Sequence, residues 1–361
     1  MREIVAQGFG ASAVSGGELA LAERAGVAAS LTALEGIGKT DRDLTLAARL
    51  AAAGRPLLWV SLESAEDAAG LARAARRLGS PRLDVLVRVN PQVTPETHRG
   101  LAAGAANAKF GVRAAELPAV IEAGGGANGP LRWRGIHLHV GSQLGAIDAW
   151  RSAFRVGLRV LELQRATLVD FDTLDAGGGF PVSMSDDPDD AVPAPARFAR
   201  EATAELGKLT SAAHPSRLAI EPGRAVVAGC GWLIGRVLHV RRRDPPLVVL
   251  DTGMTELVRP ALYGARHPMV ALTSLGRPMF DPAAEATTVR VDGPICESTD
   301  RLGMAPLPPL ERGDLVAIGA VGAYGSSMAS TYNGRPRPPE IAWDGTRLIL
   351  WRRRGSVRSL P

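Results

Sequence analysis

The chain has 361 residues, 46% of them hydrophobic and 22% charged, a balance that excludes a disordered chain and a length that suits two domains. Two cysteines, Cys230 and Cys296, give no disulfide framework and point to a reducing cytoplasm, and no apolar run approaches the roughly 20 residues that a membrane span needs. The net charge of +5 comes from 39 arginines against 3 lysines; the clusters at 241–243 and 352–354 read as solvated faces, since no basic helix or aromatic–basic alternation points to a nucleic-acid partner.

In chain order, residues 1–7 read as the end of an amphipathic helix, followed by a short buried strand at 11–16 and a helix opening at Gly17. Further strands are expected at 30–36, 56–62, 83–90, 135–141, 173–179 and 217–223. Helices are expected between them, among others at 41–53, 64–78 and 146–168, and Thr40 with Asp43 resembles a capping box. Apolar strands alternating with helices argue for a parallel sheet covered by helices. The segment 183–196 is acidic and proline-rich, as in a surface loop. Beyond about residue 238 the texture changes. Strand-like runs at 246–253, 286–293, 314–322 and 347–354 are separated by Pro- and Gly-rich turns, which predicts a C-terminal all-β domain over 239–361. Residues 1–238 then form an α/β domain of the (β/α)8 type. Several of its strands end in polar or glycine-rich residues, and the C-terminal ends of strands are where such barrels carry their active sites.

His137 and His139 share a face if 135–141 is a strand. They suit a metal site of the amidohydrolase type, a hydrogen-bonded pair in the core, or a histidine facing an organic cofactor. Gly177–Gly179 follows a strand, and successive glycines let backbone N–H groups converge on an anion, although such a run is often a simple turn. The next strand ends in Glu221 and Arg224. The arginine offers a fork for a phosphate, whereas the carboxylate requires a cationic partner. A phosphorylated, protonated heterocycle satisfies both, with its face on His139, and this describes pyridoxal 5′-phosphate. Cys296 stands beside Glu297, although a lone cysteine is usually a small buried hydrophobe. Arg259 and Tyr263, four residues apart, can reach one carboxylate if that stretch is helical. The stretch 322–325 can be a mere turn.

Taken together these pieces resemble the fold-type III pyridoxal-phosphate decarboxylases, and within them the diaminopimelate decarboxylases. The matching stretches are VSGGEL (14–19), RVNP (88–91), KFGV (109–112), HLHVGSQ (137–143), LDAGGGFP (174–181), EPGR (221–224), DTGMTELVRPALYGARHP (251–268), GPICESTD (293–300), GAYG (322–325) and YNGRPRPPE (332–340). They run in family order over nearly the whole chain. The resemblance implies that His139 stacks on the pyridine ring and that Ser142, Gly178, Gly179, Arg224 and Tyr324 hold the cofactor, chiefly its phosphate. Glu221 then pairs with the ring nitrogen. Arg224, Arg259, Tyr263 and Glu297 face the amino-acid substrate, with Arg259 and Tyr263 on its distal carboxylate. Cys296 and Glu297 enter the partner's site in a homodimer, with Cys296 as an acid. No resident metal is implied. The reaction is the decarboxylation of meso-2,6-diaminopimelate to L-lysine. A related decarboxylase acting on another amino acid or a carrier-bound one, and a non-catalytic homologue, are the alternatives.

The resemblance also sets one departure. The family's Schiff-base lysine lies on a barrel strand that precedes the VSGGEL strand, and neither has a match here. That strand and lysine are therefore expected before Met1. The three lysines present are Lys39, Lys109 and Lys208, and only Lys39 falls just beyond a strand end. It matches a different family position.

Overall fold

The computed structural model describes residues 2–184, 191–279 and 287–359. Its first elements are α1 (Arg2–Ala6), β1 (Ala11–Ala13), α2 (Gly16–Arg24), β2 (Thr32–Leu34), α3 (Asp41–Ala52), β3 (Trp59–Leu62), α4 (Ala65–Leu78) and β4 (Leu83–Arg88). They continue with α5 (Leu117–Ala123), β5 (Leu131–His137), α6 (Asp148–Arg165), β6 (Thr173–Asp175), α7 (Pro195–Leu206) and β7 (Arg217–Ala219). The seven strands pair in chain order, each parallel to the next. This is the β/α succession of the barrel fold.

Local chemistry explains where the helices begin and which face they bury. Ser15 and Ser64 accept the N–H three residues on, and Thr40 and Asp43 close a full capping box. Helix α3 buries Leu44, Ala47, Ala48 and Ala51, and α4 buries Ala68, Leu71, Ala72 and Ala75, both at i, i+3, i+4, i+7. Helix α6 buries Trp150, Phe154 and Leu161, and Trp150 stacks on Phe154 with ring centroids 5.1 Å apart.

The chain folds as two compact units, Met1–Pro181 with Val192–Pro222, and Gly223–Pro361 with Val182–Ala191. The expected boundary at 238–239 falls inside a strand, β8, so the second unit begins earlier, after Pro222. It contains α8 (Gly223–Val227), β8 (Leu233–Arg241), β9 (Leu247–Leu250), α9 (Arg259–Tyr263), β10 (Met269–Leu272), β11 (Thr287–Asp292), β12 (Arg301–Leu307), β13 (Leu315–Ile318), β14 (Glu340–Trp343) and β15 (Leu348–Arg352). Six strands form a mixed sheet in the order β10-β13-β8-β9-β11-β12, and β14 pairs with β15. Alternate residues such as Val289 and Val291, or Val248 and Leu250, enter one apolar core. The architecture is thus a parallel β/α sheet and a separate β domain.

Several strands are shorter than expected, those placed at 11–16, 30–36, 173–179 and 217–223 ending at Ala13, Leu34, Asp175 and Ala219, and two further segments differ. The strand placed at 135–141 starts earlier and ends at His137, because β4 pairs with it from Leu83↔Leu131 to Arg88↔His137. The loop placed at 183–196 ends before Pro195, which opens α7, while its residues 185–190 lie outside the described residues.

Candidate active site

In the first unit the polar residues at the C-terminal ends of the strands meet. Ser12 comes from β1, Glu35 follows β2, Ser61 lies on β3, Arg88 ends β4, His137 ends β5, Asp175 ends β6 and Glu221 follows β7. Parallel register places Arg88 beside His137 and His137 beside Asp175. Glu35, Arg88, His137 and Asp175 are buried.

Three carboxyl groups, those of Glu35, Asp175 and Glu221, present oxygens within 4.8 Å of one another. The Ser12 hydroxyl donates to Glu35 Oε2 at 2.8 Å, and its oxygen lies 3.3 Å from Glu221 Oε1. Trp59 Nε1 donates to Glu35 Oε1 at 3.3 Å. Burial raises the pKa of Glu221 well above the ordinary carboxylate range, and the charge of Glu35 raises it further. Burial, with Glu35 again adding to it, lifts Asp175 to about 8. Glu35 is the ionised member. Burial opposes its charge, but His137 and hydrogen bonds from Glu221, Ser12 and Trp59 outweigh it and hold its pKa at about 2.

Both histidines are held neutral. His137 Nδ1 lies 2.9 Å from Ser61 Oγ, and its Nε2 points toward Glu221 Oε1 at 3.8 Å and Glu35 Oε2 at 4.0 Å. Burial, with the nearby Arg88 charge, lowers it to about 4. His139 lies in the loop beyond the strand, so the two rings do not share a strand face. Its Nδ1 accepts from Gly178 N–H at 3.3 Å, which puts the ring proton on Nε2, and stands 3.4 Å from Glu221 Oε2. Burial, then Arg88 and His137, lowers it to about 3. Both histidines and Glu221 also present atoms within 4.8 Å of one another, the arrangement that the metal reading needs.

The loop at 177–179 can only be glycine. Gly177 and Gly179 have φ of +69° and +94°, and a Cβ on Gly178 would stand 2.5 Å from the Glu221 carbonyl oxygen. Asp175 Oδ1 accepts Gly177 N–H at 2.8 Å, so a buried carboxyl sets the entry to the loop. Ser142 lies in the loop after His139, where its carbonyl accepts from Thr97 Oγ1 at 2.6 Å.

In the second unit two arginines converge on tyrosine rings. Arg224 lies over Tyr324 at 4.8 Å from the ring centroid, and Arg259 lies over Tyr324 at 5.3 Å and Tyr263 at 5.1 Å. Residues 259–263 are the helix α9, as the spacing required. Arg224 and Arg259 are almost wholly buried, and burial followed by mutual repulsion lowers Arg224 to about 10. Such a pair is an anion-binding arrangement. Cys296 and Glu297 are exposed on the loop between β11 and β12; Asn333 Nδ2 donates to Cys296 Sγ at 3.4 Å, and Thr299 Oγ1 to Glu297 Oε2 at 3.2 Å. The buried Asp300 holds that loop, accepting the N–H groups of Met254 and Ile295 at 2.6 Å each.

Known proteins resemble this chain in sequence and fold. The family profile described as "Pyridoxal-dependent decarboxylase, pyridoxal binding domain" matches residues 1–228. The diaminopimelate decarboxylase of Deinococcus radiodurans is 38% identical over 100% of this chain and 84% of its own. That of Zymomonas mobilis is 33% identical over 98% and 80%. The crystal structure of diaminopimelate decarboxylase from Helicobacter pylori complexed with L-lysine superposes with a TM-score of 0.87 at 30% identity, covering 99% of this chain and 84% of that one. The chain belongs to the diaminopimelate decarboxylase family.

Within this family frame the three lysines are all engaged. Lys39 has no exposed side-chain surface, pairs with Asp67 at 3.1 Å and donates to the Gly36 carbonyl. Lys109 lies over Phe110 at 5.3 Å, and Lys208 pairs with Glu205 at 2.8 Å. Sequence reasoning named His137, His139, Glu221 and the glycine loop but not Ser12, Glu35, Asp175 or Asp300, which the structure brings into side-chain clusters. Glu35 had a legible signal: a carboxylate directly after a buried strand, at the end where barrel sites form. Asp300 had none, because its partners Met254 and Ile295 come from two separate loops.

Proposed function

We propose that this chain carries out the pyridoxal-phosphate-dependent decarboxylation of meso-2,6-diaminopimelate to L-lysine and carbon dioxide. The observation that carries the reading is identity to diaminopimelate decarboxylases along the entire chain. The residues present fit the ring and phosphate of the cofactor, since a glycine-only loop, a neutral imidazole and a half-buried carboxyl lie together in the first unit, whereas the family's Schiff-base lysine has no match in this sequence. When bound, pyridoxal phosphate supplies an electron sink for the pair released as the carboxylate leaves.

The chain's own residues do the rest. Glu221 pairs with the ring nitrogen and keeps it cationic, which is what makes the ring a good sink. His139, neutral and fixed by Gly178 N–H, offers a flat face without a competing charge. Gly178, Gly179 and Ser142 hold the phosphate end, and Arg224 with Tyr324 serves an anionic group of the cofactor. Arg259 and Tyr263 take the distal carboxylate of the substrate. Cys296 returns a proton to the substrate carbon and Glu297 reads the distal amino group, each in the site of the partner in a homodimer. The enzyme works in the cytoplasm; no helix among the described residues is long and apolar enough to cross a membrane.

The test takes the protein isolated from its native source, supplies pyridoxal phosphate, and measures carbon dioxide and lysine from meso-2,6-diaminopimelate, ornithine and lysine in parallel. Release from diaminopimelate alone supports the reading. Release from another amino acid in preference reassigns the substrate, and no release from any of them points to a non-catalytic homologue.

A further inference from the structure

The Ser12 hydroxyl has one proton, yet it lies within hydrogen-bond reach of two carboxyl groups, Glu35 Oε2 at 2.8 Å and Glu221 Oε1 at 3.3 Å. Once it donates to Glu35, only its lone pairs face Glu221. An ionised carboxylate cannot donate to them, whereas a protonated one can. The two carboxyls also present oxygens within 4.8 Å of each other, where two full charges would repel. Glu35 already takes the Ser12 and Trp59 donors, so it is the acceptor and Glu221 carries the proton.

The surroundings agree. The third carboxyl, Asp175, has an oxygen within 4.8 Å of both and is itself kept protonated mainly by burial. The cations nearest the cluster are committed elsewhere: Arg88 to Glu63 at 2.9 Å and Lys39 to Asp67 at 3.1 Å. His137 and His139, which face Glu221 from the fifth strand and its loop, are neutral. A cluster of three carboxyls, two of them buried and Glu221 half-buried, holds its charge down by keeping protons.

We propose that Glu35 is a positioning residue that shares one proton with Glu221 across the Ser12 hydroxyl, and that Glu221 delivers this proton to the pyridine nitrogen of the cofactor as it binds. The balance is simple. The O–H bond of Glu221 breaks, an N–H bond forms on the ring, and a neutral pair becomes a carboxylate facing a pyridinium. Glu35 keeps its charge throughout, and no proton is drawn from solvent. Glu221 Oε1 lies on the Ser12 and Glu35 side and Oε2 on the His139 side, so the carboxyl would turn to bring its protonated oxygen to a ring nitrogen bound there. This rests on the reading of Glu221 as the ring-nitrogen partner.

Two measurements on the purified protein test it. In cofactor-free protein isotope-labelled at the glutamate side-chain carboxyls, nuclear magnetic resonance follows each carboxyl with pH, and Glu221 is assigned by its absence in Glu221→Gln. The Glu221 signal is expected to titrate above neutrality and to fall by about one pH unit or more in Glu35→Gln. Ser12→Ala, which leaves both carboxyls in place, is expected to shift it in the same direction by less. Calorimetry with 4′-deoxypyridoxine 5′-phosphate, which cannot form an imine, then counts protons taken from buffer where the free ring nitrogen is unprotonated. Wild type is expected to take up fewer than Glu35→Gln. A Glu221 titration unmoved in both variants, or equal proton uptake, overturns the proposal. Unchanged affinity for the analogue in Glu221→Gln overturns instead the assignment of Glu221 to the ring nitrogen, whatever the carboxyl titration shows.

Discussion

Arg259 is buried with its guanidinium against the rings of Tyr263 and Tyr324. An arginine stacked in this way keeps its planar donor edge directed at a carboxylate and loses little freedom when it binds one. Arg259→Ala should therefore raise KM for diaminopimelate about ten- to a hundred-fold, since a charge-assisted hydrogen bond is lost. It should change KM for lysine or ornithine far less, because they lack the second carboxylate. Steady-state kinetics on the three compounds checks this, and equal effects would remove Arg259 from the substrate. Arg224 shares the Tyr324 ring with Arg259, so the two guanidinium groups belong to one cluster of side chains.

At the scale of elements, ion pairs fasten α6 to α7. Arg151 reaches Glu201 at 3.2 Å, and Arg155 reaches Glu205 at 2.6 Å, where Lys208 also arrives at 2.8 Å. The Arg155 hydrogen bond above all holds the Glu205 carboxyl at about 2, below its ordinary value of 4.5. A depressed carboxyl stabilises the fold fully above its unfolded pKa and loses that contribution as pH falls through the folded value. The Glu205 share of stability should thus be intact at neutral pH and disappear between about pH 4.5 and 2. Glu205→Gln should cost about 1 kcal/mol at pH 7 and nothing at the acid end, measured by denaturant unfolding at several pH values. A pH-independent difference would mean that packing, not charge, fastens the helices.

The loop between β11 and β12 is held differently, by a single buried carboxyl. Asp300 accepts two backbone N–H groups, and neither Gly253 nor Gly293 has room for a Cβ, which would stand 2.4 and 2.3 Å from it. Asp300→Ala leaves two buried donors unpaired, so it should destabilise the protein by about 2–4 kcal/mol. Asp300→Asn keeps an acceptor and should cost less. Equal melting points for both variants and wild type would show that this loop does not depend on Asp300.

At the scale of the whole molecule, Cys296 and Glu221 belong to different compact units of one chain. If Cys296 serves the site of a second copy, a homodimer follows by necessity, and its sites are shared. Cys296→Ala and Glu221→Ala should each be inactive alone. Mixed in equal amounts under exchange, they should recover about a quarter of wild-type activity, since half the dimers are mixed and each mixed dimer has one intact site. No recovery, with exchange verified by mass, would confine each site to one chain.

The sequence by itself determined the alternation of strand and helix, the capping box at Thr40 and the change of texture toward the second unit. These follow from periodicity and short-range hydrogen bonds, which need only neighbouring residues. It also carried His139, the glycine loop, Glu221, and the Arg259–Tyr263 spacing, because special backbone angles and charged groups at strand ends are legible one at a time. Only the tertiary structure decided that β5 ends at His137, since pairing with β4 sets that limit. Only it brought Ser12, Glu35, Asp175 and Glu221, which lie up to 209 positions apart, into one cluster. Charge and proton sharing depend on such distances and on burial, and neither quantity is written in any local stretch of the chain.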